Sequence, residues 1–106
     1  MKFSDYKVEG WNGSVKNTLS FPGFKVLLLE LELLENPPKE GRRNLLAVDE
    51  HAEIIWIADL PSERILYGFF DVIKERDEKM FLAWCGSFYC EIEAKTGKIL
   101  HVEFVK

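Results

Sequence analysis

Residues 25–35 read KVLLLELELLE, and this stretch decides the fold class. Leucine fills the odd positions from 27 to 33, whereas the even positions mix apolar side chains with Glu30 and Glu32. Because successive side chains of a strand point to opposite faces, the pattern predicts one all-leucine face and one face with two acids. Leucine also suits a helix, but Phe21–Gly23 and Asn36–Pro38 bracket a segment of strand length. We therefore predict a long strand.

A first hairpin is predicted on the C-terminal side of this strand. Its strands span residues 44–49 and 53–59, and the polar residues Asp49–Ala52 form the turn. Ile54–Ile57 is apolar on both faces, which predicts an interior strand covered from two directions. We expect residues 1–35 to provide this cover as a second sheet, together with a second subunit or a partner.

A second hairpin is predicted near the C-terminus. Its strands span residues 88–94 and 100–104, and Lys95–Lys98 places a glycine where a hairpin turn needs one. The last strand is expected to bury Leu100, Val102 and Phe104 and to expose His101 and Glu103. The aromatic residues expected in the core are Trp56, Trp84, Phe69, Phe81 and Phe104.

Residues 66–81 admit two interpretations. Apolar side chains fall on one helical face, but Gly68 and a cluster of strand-forming residues favour a strand. A turn at Arg76–Lys79 and a returning strand at Met80–Trp84 complete this interpretation. At the other end of the chain, two further strands are predicted over Tyr6–Trp11 and Ser14–Ser20, joined at Asn12–Gly13.

An internal repeat relates the two hairpins. A shift of 44 residues superposes them, and each copy is then a strand, an acid, a short turn and a second strand. A period of about 40–50 residues is typical of four-stranded propeller blades. The shift places Val48 on Ile92, Asp49 on Glu93, Ile55 on Ile99 and Trp56 on Leu100.

The repeated segments carry a family resemblance. Leu46–Asp49 with Ile54–Trp56, and Ile92–Leu100 with its Thr-Gly turn, resemble the repeat of quinoprotein-type β-propellers and of small stand-alone bacterial proteins with one or two blade-like units. The resemblance covers about residues 44–106 and implies blade-like hairpins. It implies no cofactor, because quinone-binding propellers often use two adjacent cysteines, and Cys85 and Cys90 are not adjacent.

Together these patterns predict an all-β fold. About eight antiparallel strands in hairpins form two packed, propeller-blade-like sheets, as an incomplete propeller or a sandwich, since a closed propeller needs at least about four blades. A length of 106 residues is that of one domain. We expect a single β domain over residues 1–106, with N-terminal strands in 1–35, a connector loop at 36–43 and blade-like hairpins in 44–106.

Charge and composition exclude several classes of protein. The net charge of −4 disfavours a generic nucleic-acid binder, which needs a basic surface. The sequence shows no signal peptide and no run of about 20 apolar residues, so we expect a cytoplasmic protein without a membrane partner. In that location Cys85 and Cys90 are expected to be free thiols. No spacing of cysteines and histidines indicates a metal site.

No set of side chains stands out as catalytic, which predicts a non-enzymatic protein without a cofactor. The best concrete hypothesis is a cytoplasmic interaction domain, such as an immunity-type protein that binds and neutralises a basic toxin. The alternatives are a small-molecule-binding domain, with a pocket between the sheets lined by aromatic residues and His51 or His101, and a structural homo-oligomer. Candidate contact residues are Trp11, Asp49, Glu50, Glu53, Tyr67, Tyr89, Glu91 and Glu93.

Overall fold

The computed structural model of the protein describes residues 15–30, 43–61 and 69–105. Within these ranges the chain forms strands and turns, and no residue is helical. The predicted all-β class is therefore confirmed for the described part of the chain. Its eight strands are β1 (Val15–Phe21), β2 (Phe24–Leu29), β3 (Leu45–Asp49), β4 (Ile54–Ile57), β5 (Val72–Glu75), β6 (Met80–Cys85), β7 (Phe88–Glu93) and β8 (Ile99–Phe104).

The strands form two four-stranded antiparallel sheets, each in chain order: β1-β2-β3-β4 and β5-β6-β7-β8. The first sheet combines strands from both sides of the predicted connector. In it β2 pairs with β3, from Phe24 opposite Asp49 to Leu28 opposite Leu45. The prediction that residues 1–35 cover the later strands as a separate sheet is therefore wrong, because β1 and β2 extend the sheet of β3 and β4 sideways.

The two sheets share one apolar core. Strand alternation turns Val26 and Leu28 of β2 toward the second sheet, which contributes residues such as Phe81 and Ile92. The other face of β2 and β3 is also buried, so the middle of the first sheet is apolar on both sides. That second cluster consists of Leu27, Leu29, Leu46 and Val48, with Val15, Ile54 and Ile57 packed against it.

The outermost described strands are only partly covered. On β4, Trp56 packs in the shared core and Ile54 and Ile57 pack against the second cluster, so both faces are in apolar contact as predicted. Among the described residues β4 pairs with β3 alone, and its Ile55 is 47% exposed. Alternation along a strand predicts which side chains share a face, but not whether an opposite sheet reaches far enough to cover them. For this reason β8 does not bury its apolar side: Leu100, Val102 and Phe104 are 49%, 38% and 60% exposed.

Several local predictions are confirmed. The predicted N-terminal strand over Ser14–Ser20 corresponds to β1. In the segment for which a helix was the alternative interpretation, β5 is a strand. Turns lie at the three predicted places, Asp49–Ala52, Arg76–Lys79 and Lys95–Lys98. Phe69 was expected in the core but is 43% exposed. The predicted strand over Tyr6–Trp11, the end of the long strand and most of the doubtful segment fall on residues 1–14, 31–42 and 62–68, outside the described residues.

Trp56 links the first sheet to the second. Its indole Nε1–H donates a hydrogen bond to the carbonyl oxygen of Ala94 at 2.9 Å. Its ring stacks on Phe81, with centroids 6.1 Å apart and planes inclined by 7°. Gly97 lies against the same ring, so closely that a Cβ atom there would come within 2.5 Å of the ring carbons. The β7–β8 turn is therefore shaped to receive Trp56.

Asn44 is a second link, and it is the buried polar side chain of the described core. Its amide Nδ2 donates to the carbonyl oxygens of Leu29 at 3.0 Å and Phe70 at 2.7 Å. Its Oδ1 accepts the backbone N–H of Phe70 at 2.9 Å. These bonds join the end of β2 to the segment that enters β5, and they satisfy groups that burial would otherwise leave unpaired.

The described residues contain no helix that could cross a lipid bilayer.

Candidate interaction face

The second sheet has one buried face and one half-exposed face. Along β6 and β7 alternate residues enter the shared core, among them Phe81, Ala83, Cys90 and Ile92. The residues between them point the opposite way, because strand side chains alternate. We call this opposite surface the outer face. Its side chains are those of Val72, Lys74, Met80, Leu82, Trp84, Tyr89, Glu91, Glu93, His101 and Glu103.

Two aromatic rings lie side by side on the two middle strands of the outer face, next to the β6–β7 turn. The strand register places Trp84 between Val72 of β5 and Tyr89 of β7. The ring centroids of Trp84 and Tyr89 are 5.4 Å apart, and the rings are inclined by 57°. Both side chains are half-buried, and Leu82 and Met80 continue the apolar surface along β6. Large aromatic side chains of this kind are enriched at the centres of protein interfaces.

A second row of side chains crosses the outer face beside the aromatic pair. It runs from Lys74 through Leu82 and Glu91 to His101. The guanidinium of Arg76 forms a hydrogen bond and an ion pair with the carboxylate of Glu91. Basic side chains therefore lie on the β5 side of the face and bind one of its acids within the chain.

The acids of β7 and β8 form the opposite border of the outer face. Glu93 accepts a hydrogen bond from the hydroxyl of Thr96 at 2.6 Å, within the β7–β8 turn. On β8 the imidazole Nε2 of His101 lies 3.8 Å from a carboxylate oxygen of Glu103, and both side chains are more than half exposed. This border carries the more accessible negative charge of the face.

The acidic β3–β4 turn does not belong to the outer face. The carboxylate of Asp49 accepts the backbone N–H groups of His51 at 2.8 Å and Glu53 at 3.0 Å. The hydrogen bond from Glu53 is the largest cause of a lowered pKa for Asp49, and the bond and charge of His51 act in the same direction. Asp49 therefore shapes its turn, and Glu50 and Glu53 follow it at the end of the first sheet.

Three of the predicted contact residues come together in the structure. Tyr89, Glu91 and Glu93 share the outer face because they alternate along β7. The other predicted acids lie on the first sheet, away from the outer face. Of the remaining predicted residues, Asp49, Glu50 and Glu53 lie in the β3–β4 turn, and Trp11 and Tyr67 lie outside the described residues.

Met80, Leu82 and Trp84 are surface residues that the sequence did not indicate, and the prediction that Trp84 lies in the core is wrong. In the stretch MFLAWC both sets of alternate residues are apolar, so the pattern does not show which set is buried. A signal was available in the neighbouring strand. The polar residues of FYCEIE mark its outer side, and antiparallel pairing places Trp84 opposite Tyr89.

The two cysteines are buried free thiols, as predicted. Burial raises the pKa of Cys85 to about 11, and the charge of Asp71 acts in the same direction. Burial likewise raises the pKa of Cys90 to about 11, with Cys85 adding to the effect. Because the reactive form of cysteine is the thiolate, neither group is an effective nucleophile near neutral pH.

Two open grooves lie where the hairpin turns of the sheets meet. One, of about 370 Å³, is lined by Phe24 and by residues of the β5–β6 and β7–β8 turns, including Lys79 and Lys95. The other, of about 470 Å³, follows the β3–β4 turn. The predicted small-molecule pocket required His51 or His101, and neither histidine lines these two grooves. The small-molecule pocket therefore stays a prediction.

No group of three or more histidine, cysteine, aspartate or glutamate side chains is placed to hold a metal ion in the described part of the chain. Comparison with protein-family models, with curated proteins and with solved structures finds no significant match. The resemblance of residues 44–106 to propeller repeats therefore stays a prediction.

Proposed function

We propose that this protein is a non-enzymatic, cytoplasmic interaction domain whose outer face binds another protein. The observation that carries the proposal is the pair formed by Trp84 and Tyr89, two large rings in contact with each other and half-exposed on a sheet. Aromatic and apolar side chains next to polar ones are the usual composition of a protein–protein interface. The outer face has this composition.

The charges of the face define the chemistry of the partner. Glu103 lies on β8 beside Tyr89, Glu93 lies farther along β7 opposite Met80, and the whole chain has a net charge of −4. A complementary partner has an apolar protrusion bordered by basic side chains. Opposite charges accelerate such an encounter and favour one orientation, and added salt weakens the effect.

The most specific form of this proposal is an immunity-type protein that neutralises a basic toxin. If the neighbouring gene encodes a toxin, the test is survival of cells that express that toxin. The wild-type protein is expected to protect them, and a Trp84→Ala plus Tyr89→Ala variant is expected not to. Equal protection by both proteins would contradict the role of the outer face, and no protection by the wild type would contradict the immunity function.

The general proposal is tested on a partner recovered from extracts of the native cell. Calorimetry with the purified partner is expected to show at least about tenfold weaker binding for Trp84→Ala or Tyr89→Ala, since loss of an interface aromatic costs more than about 1.4 kcal/mol. Ile55→Ala is the matched control, because Ile55 is an exposed apolar residue on the other sheet. Equal affinity of all four proteins would overturn the proposal.

We also propose that each sheet is a propeller-blade-like unit. Each is a four-stranded antiparallel sheet in chain order, which supports this assignment. In both sheets the last hairpin has a β-bulge, between Ala47 and Val48 and between Glu91 and Ile92, and these positions are related by the shift of 44 residues. An experimental structure in which the two sheets superpose with their bulges aligned would support it, and a misfit of the bulges would contradict it.

A further inference from the structure

Strand β8 has an exposed apolar edge. Among the described strands it pairs with β7 alone. Val102 and Phe104 lie opposite Cys90 and Phe88, so they belong to the core side of the sheet. They nevertheless remain 38% and 60% exposed, because the cover ends before it reaches β8. An edge strand with exposed apolar side chains is a template for a further strand.

The hydrogen bonds of β8 show which of its backbone groups are directed outward. The N–H of Val105, immediately after the strand, donates to the carbonyl of Ser87 at 2.7 Å. In an antiparallel ladder, residues that bond to the neighbouring strand alternate with residues whose N–H and C=O point away from it. Glu103 therefore bonds back to β7, whereas the N–H and C=O groups of Val102 and Phe104 point toward the free edge.

We propose that two copies of this chain pair antiparallel along β8, with Val102 opposite Val102. This register brings the outward-directed groups of the two strands together. It also places His101 of each copy opposite Glu103 of the other, so two pairs of complementary polar side chains form across the twofold axis. Cross-strand pairs of this kind favour a particular register. Leu100 of each copy then lies opposite Phe104 of the other.

The charge pattern selects this register over its neighbours. A twofold axis at Phe104 leaves His101 without a partner on β8, and an axis at Leu100 pairs Val102 and Glu103 with the β7–β8 turn. An axis at His101 or at Glu103 places two copies of the same polar side chain opposite each other. Of these registers, the axis at Val102 both pairs the strand over its length and places His101 opposite Glu103. The edge strand β4 offers no comparable register, since it has four residues and none is charged.

The same pairing has two consequences for the surface. Val102 comes next to Val102 of the second copy and Phe104 comes next to its Leu100, which removes apolar area from water. On the opposite side the outer faces of two copies become one continuous surface across the axis. The dimer does not depend on the proposed function, because Trp84 and Tyr89 lie outside the pairing strand.

The experiment is sedimentation equilibrium of the full chain at concentrations up to about 1 mM, at which even a dimer with a Kd of about 1 mM is substantially formed. The wild-type chain is expected to dimerise. Val102→Pro removes an outward N–H without breaking the β7–β8 ladder, and it is expected to weaken dimerisation at least about tenfold. Val102→Thr keeps the N–H and serves as the matched control. A wild type that stays monomeric, or equal dimerisation of Val102→Pro, would overturn the proposal.

Charge complementation tests the register. The variant His101→Glu places acids opposite acids, and the variant His101→Lys plus Glu103→Lys places bases opposite bases. Each is expected to be monomeric alone, and an equimolar mixture is expected to form a heterodimer. Because each variant serves as the folding control of the other, recovery on mixing excludes misfolding. Failure of the mixture to associate would overturn the register, whereas Trp84→Ala is expected to leave dimerisation unchanged.

Discussion

At Gly97 the backbone is left-handed, with a φ of 74°, and the ring of Trp56 occupies the place where a side chain would begin. The two residues come from different sheets, so the position combines a local requirement of the turn with a long-range contact. A glycine at a hairpin turn is readable from sequence. Its contact with Trp56 is not, because it depends on how the sheets pack.

Gly97→Ala is expected to lower the free energy of unfolding by about 2 kcal/mol or more. The left-handed conformation costs a residue with a Cβ about 1–2 kcal/mol. Displacing the indole ring from its hydrogen bond and its stack adds an overpacking cost of about 1–3 kcal/mol. Urea unfolding followed by circular dichroism measures the change.

Gly86→Ala is the control for this prediction. Gly86 also has a positive φ, 58°, but a Cβ there meets no atom within 4 Å. Its replacement by alanine is expected to lower the free energy of unfolding only by the cost of the left-handed conformation, about 1–2 kcal/mol. Ala52 adopts a φ of 67° in the β3–β4 turn, which shows that the chain accommodates a methyl group in this conformation. If both variants lower the free energy of unfolding equally, the contact between Gly97 and Trp56 does not contribute to the effect of Gly97→Ala.

At the scale of the strand, β6 and β8 have similar patterns and different environments. Both carry apolar side chains at alternate positions, yet Phe81 and Ala83 are fully buried whereas Val102 and Phe104 are exposed. β6 lies in the middle of its sheet and β8 lies at the edge of the described sheet. The position of a strand within the sheet therefore decides the burial that alternation leaves open.

Strands β6 and β7 also enclose both thiols, which predicts a dependence of stability on pH. In the folded protein the pKa values of Cys85 and Cys90 are about 11, whereas the ordinary value is 9.0. Between these values the unfolded chain loses thiol protons that the folded chain keeps. The free energy of unfolding is therefore expected to fall as the pH rises from 9 to 11, by up to about 1.4 kcal/mol per pH unit for each thiol.

Urea unfolding at a series of alkaline pH values measures this slope. The double variant Cys85→Ala plus Cys90→Ala is the control, because tyrosines and lysines titrate in the same range and remain in both proteins. The difference between the two slopes isolates the thiols. Identical slopes would mean that the thiols ionise in the folded protein as easily as in the unfolded chain.

At the scale of the whole molecule, Asn44 and the shared core join the two sheets into one unit. Asn44→Ala removes partners from the buried N–H and C=O of Phe70 and the C=O of Leu29. Because each unsatisfied group costs about 1–3 kcal/mol, the free energy of unfolding is expected to fall by about 3 kcal/mol or more. Tryptophan fluorescence and far-ultraviolet circular dichroism measure it, and both signals are expected to report one transition because the core is common to both sheets.

Asn17→Ala is the matched control for Asn44→Ala. The side chain of Asn17 is exposed, and its Oδ1 accepts the N–H of the adjacent Thr18. Its removal is expected to change stability by less than about 0.5 kcal/mol. A comparably small loss for Asn44→Ala would contradict the role assigned to its hydrogen bonds. Separate transitions for the two signals would contradict the single cooperative unit.

Local patterns in the sequence predicted the all-β class, the turns at Asp49–Ala52, Arg76–Lys79 and Lys95–Lys98, and the shared side of Tyr89, Glu91 and Glu93. These features depend on residues close together in the chain, since turn chemistry and strand alternation are local properties. They account for most of the described strands and for part of the candidate interaction face.

The tertiary structure determined the rest. It placed β1 and β2 beside β3, left β8 at the edge of the described sheet, and turned Trp84 outward. Each of these outcomes depends on which apolar surfaces meet across the molecule. Packing between distant segments is not encoded in any single stretch of chain, and strands that are apolar on both sides leave it open until the two sheets come together.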